Sequence, residues 1–187
     1  MQFDAGNFYH IFNRGINRKR IFFSKRNYEF FLEKVEINIL PHCSLVSYCL
    51  MPNHFHLLIH ANERTGMQVH NRSILPVNNL GEGIRVLLSS YALAINKQQS
   101  RTGNLFQQKT KSTCLSAKGI YPGVLSDSSL YEEDCFHSIH FNPVKAGLVE
   151  NPGDWEFSSY REYFSFSQKN LCNTEIGKQF LRLEVMK

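Results

Sequence analysis

The sequence predicts an α+β fold, a ferredoxin-like or RRM-like sandwich in which helices pack on a mainly antiparallel sheet. Segments of alternating apolar and polar residues, typical of strands, are separated by segments whose apolar residues recur every three or four positions, typical of helices. Their order is strand, helix, strand, strand, helix, strand. The two central strands are joined by a tight turn, which makes them antiparallel.

The first half of the chain is predicted to hold a strand, a helix and a hairpin. The strand is aromatic-rich and ends at Gly15, and the helix begins after Ser24, a residue type that caps helix N-termini. Pro41 follows the last apolar position of the helix and closes it. The predicted ranges are 8–15 for the strand, 24–39 for the helix, and 44–51 and 54–61 for the hairpin.

The second half is predicted to supply the remaining helices and strand. A polar connection over 63–79 is expected to be irregular. A third helix is expected to begin at Ser126 or Ser129. It is expected to end at Asn142-Pro143, because proline disfavours helical geometry in the residue before it. The tail with Trp155 is expected to pack back on the domain. The predicted ranges are 81–99 for the second helix, 101–107 for a turn, 111–115 for a strand and 126–141 for the third helix.

Length and composition indicate one globular domain. The chain has 187 residues, of which 42% are hydrophobic and 13% aromatic, and we expect a domain over 1–165 and a C-terminal tail over 166–187. No apolar run approaches the roughly 20 residues that a membrane span requires, and the N-terminus lacks the pattern of a secretion signal. The five cysteines of the chain are scattered and never spaced CxxC, which favours reduced thiols and a cytoplasmic protein.

Basic residues are segregated along the chain, although the net charge is only +5. The stretches 14–26 and 97–118 contain bases and no acid, whereas 127–162 is strongly acidic. Separated basic segments are typical of a polyanion binder, and solvated loops that happen to be basic are the open alternative. The residues predicted to contact DNA are Arg14, Arg18, Lys19, Arg20, Arg101, Lys109 and Lys111.

Two histidines in the predicted hairpin form a candidate metal site. His54 and His56 flank Phe55 in a strand, so both imidazoles project from one face and lie roughly 6.5 Å apart along the strand. That spacing lets both rings reach one metal ion. The alternative is two histidines on the solvent face of an amphipathic hairpin, which would need no metal.

Three separated segments together resemble one family. They are Met-Pro-Asn-His54-Phe-His56-Leu-Leu, Arg101-Thr-Gly-Asn-Leu-Phe-Gln107, and Ile139-His-Phe-Asn142-Pro143-Val-Lys-Ala-Gly-Leu-Val149. The first resembles the His-hydrophobe-His motif of single-tyrosine HUH transposases of the IS200/IS605-like group. The other two resemble the branch of that group associated with repetitive extragenic palindromes. The resemblance extends from about residue 8 to residue 163.

The resemblance implies an enzyme that cuts and rejoins single-stranded DNA. In that family a tyrosine hydroxyl attacks the scissile phosphate and forms a 5′-phosphotyrosine link. By resemblance, His54, His56 and Asn142 would hold Mg²⁺ or Mn²⁺, which polarises the phosphate. A DNA hairpin would bind on basic surface, and both a monomer and a homodimer are compatible with the family.

The sequence departs from the family at the expected nucleophile. The tyrosine of related sequences lies four residues before the position of Asn142, where this chain has Ser138. A serine is shorter and its hydroxyl is less acidic than a phenol, so it cannot replace the tyrosine by analogy. Tyr131 is the alternative nucleophile, seven residues earlier on the helix, and Tyr91 and Tyr121 rank below it.

Three functions therefore remain open at the level of sequence. The chain could be an active transposase with a shifted nucleophile, or a hairpin-binding relative that Ser138 has inactivated. An unrelated metal-binding protein built on the same kind of sheet is the third.

Overall fold

A computed structural model describes residues 1–69, 77–116, 128–164 and 170–181 of the chain, with backbone alone at 69, 77 and 128–130. Two positions considered above, Tyr121 and Ser126, lie outside these ranges, as does the side chain of Ser129. Within the described residues, every helix is too short or too polar to cross a membrane.

The centre of the fold is a four-stranded antiparallel sheet of β1 (Phe8–Arg14), β2 (Cys43–Met51), β3 (His54–Ala61) and β6 (Lys111–Cys114). The strand order in the sheet is β2-β3-β1-β6. Each outer strand pairs with one of the two inner ones, and the hairpin β2–β3 turns at Pro52-Asn53. This order, together with the helices that connect the strands, confirms the predicted α+β sandwich.

Two long helices cover one face of the sheet, as the apolar periodicity predicts. They are α1 (Lys25–Asn38) and α2 (Asn79–Gln98). Ser24 is the N-cap residue of α1, and its backbone N–H donates to Oδ1 of Asn27 at 3.1 Å. Phe31 and Tyr91 from these helices pack with Phe55 of β3 in the larger apolar core.

A third helix, α3 (Ser128–Lys145), packs on the opposite face, mainly against β2. Phe136 and Ile139 are buried there with Leu58 of β3 and Phe8 of β1. His54 and His56 lie on this α3 face, because Leu58 has the same orientation in the strand while Phe55 belongs to the other core.

The predicted end of α3 at Asn142-Pro143 is wrong. Pro143 lies inside the helix, which continues to Lys145. Gly147, two residues beyond this end, has a φ of +67°, which glycine adopts readily. The Gly147 N–H donates to the Val144 carbonyl, and the Leu148 N–H donates to the Pro143 carbonyl. This pair of bonds is a Schellman motif. The glycine terminates the helix, and proline near the end removes only one internal hydrogen bond.

The C-terminal part of the chain packs on the domain, as predicted for Trp155. The indole Nε1 donates to the Leu50 carbonyl at 3.0 Å. The predicted tail also contributes to both cores, since Cys172 is buried in the larger and Phe180 in the smaller. The short helices of this region are α4 (Tyr160–Phe164), α5 (Thr174–Gly177), and the 3-10 segments Pro152–Asp154 and Lys178–Leu181.

The connection predicted to be irregular contains a small ladder. Strands β4 (Gln68–Val69) and β5 (Val77–Asn78) pair antiparallel, and Asn78 then caps α2 by accepting from the Gly81 N–H. A two-residue strand is too short for its sequence pattern to be recognised.

Candidate nucleic-acid and metal site

A pocket of about 400 Å³ lies where the ends of β1 and β3 meet the loop after β1. His54 and His56 line it together, with ring centroids 5.0 Å apart and ring planes perpendicular. We call it the histidine pocket. Its other lining residues are Phe12, Asn13, Arg14, Arg18 and Asn53.

Asn53 orients His54. The Nδ1 of His54 lies 2.6 Å from Oδ1 of Asn53, and because a carbonyl oxygen only accepts, the Nδ1 carries the proton. The lone pair of His54 is therefore on Nε2. The Asn53 amide nitrogen also donates to the Arg18 carbonyl at 3.1 Å, so one side chain holds both the histidine and the basic loop.

His56 has a histidine as its partner. Its Nδ1 lies 2.8 Å from Nε2 of His10, which projects from β1 on the same face of the sheet. The two rings are stacked, with centroids 5.0 Å apart, and Phe12 stacks on His10 at 4.7 Å. Within the described residues, the Nε2 atoms of His54 and His56 have no hydrogen-bond partner.

The environment of the pocket keeps its imidazoles neutral. Burial, followed by the charges of His10, His54 and Arg14, lowers the pKa of His56 to about 3. Burial lowers the pKa of His10 to about 4. Burial and the Arg14 charge lower the pKa of His54 as well. Neutral imidazole is the form that binds metals, so at pH 7 these side chains are in the form that can act as ligands.

The basic loop after β1 is held at the mouth of the histidine pocket by backbone hydrogen bonds. We define it as residues 15–20, which include the 3-10 turn Ile16–Arg18. The Gly15 N–H donates to the Asn53 carbonyl at 2.8 Å, and the Ile16 N–H donates to the Leu105 carbonyl at 3.0 Å. The loop is thus joined to the β2–β3 turn and to the turn before β6. These are two of the three segments that carry the family resemblance.

Gly15 makes this close arrangement possible. A Cβ atom built at position 15 would lie 2.0 Å from the Lys19 carbonyl oxygen and 3.0 Å from the Ile21 side chain. Any larger residue would therefore push the loop away from the strand. Asn17 and Arg18 adopt left-handed backbone angles, with φ of +51° and +58°, which completes the tight reversal.

The structure brings together part of the predicted basic set. Arg14 and Arg18 line the histidine pocket, and Nζ of Lys111 lies 5.7 Å from the centre of the Phe12 ring, which is also a pocket wall. Lys19 and Arg20 are exposed on the basic loop. Within the described residues, none of these five cations makes an ion pair.

The other predicted cations lie elsewhere. Lys109 lines a separate groove of about 660 Å³ between α2 and the 103–110 segment. Arg101 donates to the Asn104 carbonyl at 3.0 Å within its own turn. Two neighbours of the basic loop, Lys25 and Arg26, are paired with acids, Lys25 with Glu156 and Arg26 with Glu33 at 3.2 Å.

Ser138 and Asn142 of α3 do not line the histidine pocket. Ser138 is exposed and borders a different surface pocket of about 430 Å³, together with Asp134, His137, Phe141 and Lys145. Asn142 is half-buried on the same helix. A role for either side chain beside His54 and His56 stays a prediction.

The tyrosines differ in their access to a substrate. Tyr131 is 37% exposed on α3, on the same side of the helix as Ser138. Tyr91 is fully buried and donates to the Ile21 carbonyl at 2.9 Å, so its hydroxyl is already engaged. Burial raises the pKa of Tyr28 to about 12 and also raises the pKa of Tyr9, Tyr48, Tyr91 and Tyr163.

The residues present fit a divalent ion only in part. Within the described ranges, no group of three or more His, Cys, Asp or Glu side chains is placed to hold a metal. Among the described residues that line the pocket there are two neutral imidazoles and no carboxylate. Such a pair fits an ion whose remaining positions are filled by water and phosphate oxygens, since hard ions such as Mg²⁺ keep several oxygen ligands of this kind.

Sequence reasoning missed His10 and the bridging role of Asn53. The sequence pattern places Asn53 in the hairpin turn and indicates no further role for it. The sequence does indicate weakly where His10 points. It lies two residues from both Phe8 and Phe12 in β1, and residues two apart in a strand share a face. That this face also holds His56 follows only from the pairing of β1 with β3.

Comparison with known proteins finds similarity in structure. No family model and no curated protein matches this sequence. A solved structure described as that of a REP-associated tyrosine transposase bound to a REP hairpin superposes with a TM-score of 0.59. The alignment covers 88% of this chain and 82% of that one at 14% sequence identity. At this identity the comparison shows a shared fold.

Proposed function

We propose that this chain is a transposase-like protein that binds hairpin or single-stranded DNA, with the phosphate backbone lying across the basic loop at the mouth of the histidine pocket. The supporting observation is that Arg14 and Arg18, which have no acidic partner among the residues that the structure describes, line a pocket with two neutral imidazoles whose rings are held by hydrogen bonds. The shared fold with a hairpin-bound transposase supports the same partner.

The charges explain why a nucleic acid fits this surface. Arg14 ends β1, the basic loop adds Arg18, Lys19 and Arg20, and Lys111 extends the positive surface onto β6. Guanidinium and ammonium groups that form no internal ion pair can neutralise phosphates and release counterions, which is the main source of affinity for DNA. Arg14 and Arg18 are placed to bring a phosphate to the pocket itself.

Fluorescence anisotropy with a labelled hairpin oligonucleotide tests this binding. We expect the double variant Arg14→Ala/Arg18→Ala to bind more weakly and to lower the slope of log affinity against log salt by about 2, one for each lost phosphate contact. The matched control is Arg26→Ala/Lys178→Ala, which removes the same charge from cations already paired with Glu33 and Glu175. An equal loss of hairpin affinity in both double variants, or an affinity that does not depend on salt concentration, would contradict the proposal.

The same site is proposed to hold Mg²⁺ or Mn²⁺ through Nε2 of His54 and His56, with Asn142 as a candidate third ligand. A divalent ion supplies Lewis-acid polarisation of a phosphate when it is bound. The chain's own part is to present two imidazoles in the correct tautomer and to bring the phosphate with Arg14 and Arg18. We expect hairpin binding to persist in EDTA, because those phosphate contacts need no metal.

A second candidate function is covalent cleavage and rejoining of the strand, favoured by the exposure of Tyr131 on α3. The tyrosine hydroxyl would lose its proton as its oxygen bonds to phosphorus, while the bond from phosphorus to the 3′ oxygen breaks and that oxygen takes up a proton. If Ser138 is an inactivating replacement, the wild type forms no adduct and Ser138→Tyr gains one. Ser138 is exposed, so a tyrosine can be accommodated there without disturbing the core.

A denaturing gel of protein incubated with labelled hairpin DNA and Mn²⁺ separates these cases. An adduct in the wild type that disappears in Tyr131→Phe identifies an active enzyme with a shifted nucleophile. No adduct in the wild type, in Ser138→Tyr or with any divalent metal, while hairpin binding persists, leaves the binding protein.

A further inference from the structure

We propose that His10 is a positioning residue of the histidine pocket, whose Nε2 accepts a hydrogen bond from Nδ1–H of His56 and so leaves the Nε2 of His56 deprotonated for a ligand. The tautomer follows from the geometry and charges of the protein's own residues. Its use for a metal rests on the proposed function.

The rings of His10 and His56 are joined by one hydrogen bond between their facing nitrogens. Nδ1 of His56 and Nε2 of His10 are 2.8 Å apart, with hydrogen-bond geometry between them. One nitrogen must therefore donate and the other accept. His10 is thereby engaged by His56 and acts through it. Only Nε2 remains on His56 to meet a ligand in the pocket.

Neighbouring charge decides which nitrogen of the pair donates. Arg14 lines the pocket and is near enough for its charge to lower the pKa of both His54 and His56. In such a positive field, a lone pair facing the pocket is more favourable than an N–H dipole pointing into it. His56 therefore keeps its proton on Nδ1, toward His10, and its Nε2 lone pair faces the pocket.

His54 is held in the same way as His56, by a hydrogen bond from its Nδ1 to a neighbouring side chain. There the partner is the Asn53 side-chain oxygen, 2.6 Å from Nδ1, and the lone pair is again on Nε2. Hydrogen bonds from the second ring nitrogen to such acceptors commonly fix metal-binding histidines. His10 takes for His56 the part that Asn53 takes for His54.

Packing holds His10 in this role. Phe12 stacks on His10 at 4.7 Å and lies 5.7 Å from His56, with ring planes within 28° of each other in both pairs. His10 lies on β1 opposite Leu58, so the bond to His56 runs diagonally across the two strands. The bond therefore depends on the β1–β3 register.

Long-range ¹⁵N–¹H NMR of the histidine rings tests the tautomer directly, without metal or DNA. We expect the wild-type His56 signal to show a protonated Nδ1 and a bare Nε2. His10→Gln retains an acceptor at a similar reach and should keep this tautomer, whereas His10→Phe should give a mixture. His60→Phe is the control, because His60 is on the same sheet face and contacts Phe8 instead of the pocket.

Titration of the same proteins with Mn²⁺ measures the consequence for a ligand. We expect His10→Phe to bind about 10- to 100-fold more weakly than wild type, and His10→Gln and His60→Phe to stay close to it. A wild-type His56 with its proton on Nε2, or undiminished Mn²⁺ affinity in a folded His10→Phe, overturns the proposal. If His56 has the stated tautomer and the wild type binds no Mn²⁺, the metal function fails and the positioning role of His10 stands.

Discussion

Oδ1 of Asn53 lies 2.6 Å from Nδ1 of His54, while the amide nitrogen of the same residue donates to the Arg18 carbonyl. One side chain in the β2–β3 turn thus couples the orientation of a candidate ligand to the position of the basic loop. A change at Asn53 should affect both proposed activities together.

We expect Asn53→Ala to weaken Mn²⁺ binding about 10- to 100-fold, because loss of a partner that fixes a ligand's ring has that typical cost. Hairpin affinity should fall in the same variant, since the loop loses one of its anchors. Calorimetry and anisotropy measure the two effects. Asn151→Ala is the control, as its amide donates to Asp154 within an exposed surface turn. A normal hairpin affinity in Asn53→Ala would contradict the coupling.

The shape of the basic loop should depend on the glycine at position 15. Gly15→Ala should lower the free energy of unfolding by about 1–3 kcal/mol, because its Cβ would collide with the Lys19 carbonyl and nearby groups must move. The displaced loop should also bind hairpin DNA more weakly. Gly153→Ala is a matched control, because the nearest atoms there are at 3.6 Å, an ordinary contact. Urea denaturation and anisotropy measure both quantities, and equal effects at the two glycines would refute the role of Gly15.

The stability of the protein at acidic pH should depend on a buried histidine. His140 of α3 is buried with Nε2 2.7 Å from Oγ of Ser159, and burial, followed by the charge of His137, lowers its pKa to about 3. The unfolded chain binds a proton near pH 6.5 and the folded protein does not, so stability is present above that pH and is lost as pH falls.

Between pH 7 and pH 5 this residue alone should remove about 2 kcal/mol of stability, at 1.36 kcal/mol per pH unit below 6.5. His140→Gln cannot take up the proton and should lose that much less over the same interval. Urea unfolding at the two pH values gives the comparison, with His60→Gln as the control at a half-buried position. Identical pH dependence in wild type and His140→Gln would show that His140 is not the group that titrates.

The main elements of this fold follow from local sequence patterns. The periodicity of α1 and α2, the capping residue Ser24 and the hairpin turn at Pro52-Asn53 all depend on residues close together in the chain. The end of α3 was predicted wrongly at Asn142-Pro143, because Pro143 lies inside the helix and the residue that terminates it, Gly147, lies four positions later. Which of them terminates the helix depends on the C-terminal hydrogen bonds that the glycine permits.

The sequence by itself determined that His54 and His56 share one face of a strand and that bases cluster after β1, since the alternation of side chains is a property of any strand. Only the tertiary structure decided which groups complete this site. His10 meets His56 across 46 residues of chain, and the 15–20 loop is held by turns around 53 and 105. Such contacts depend on strand register and on close backbone approach at Gly15, which are set when distant segments pack and which no local pattern specifies.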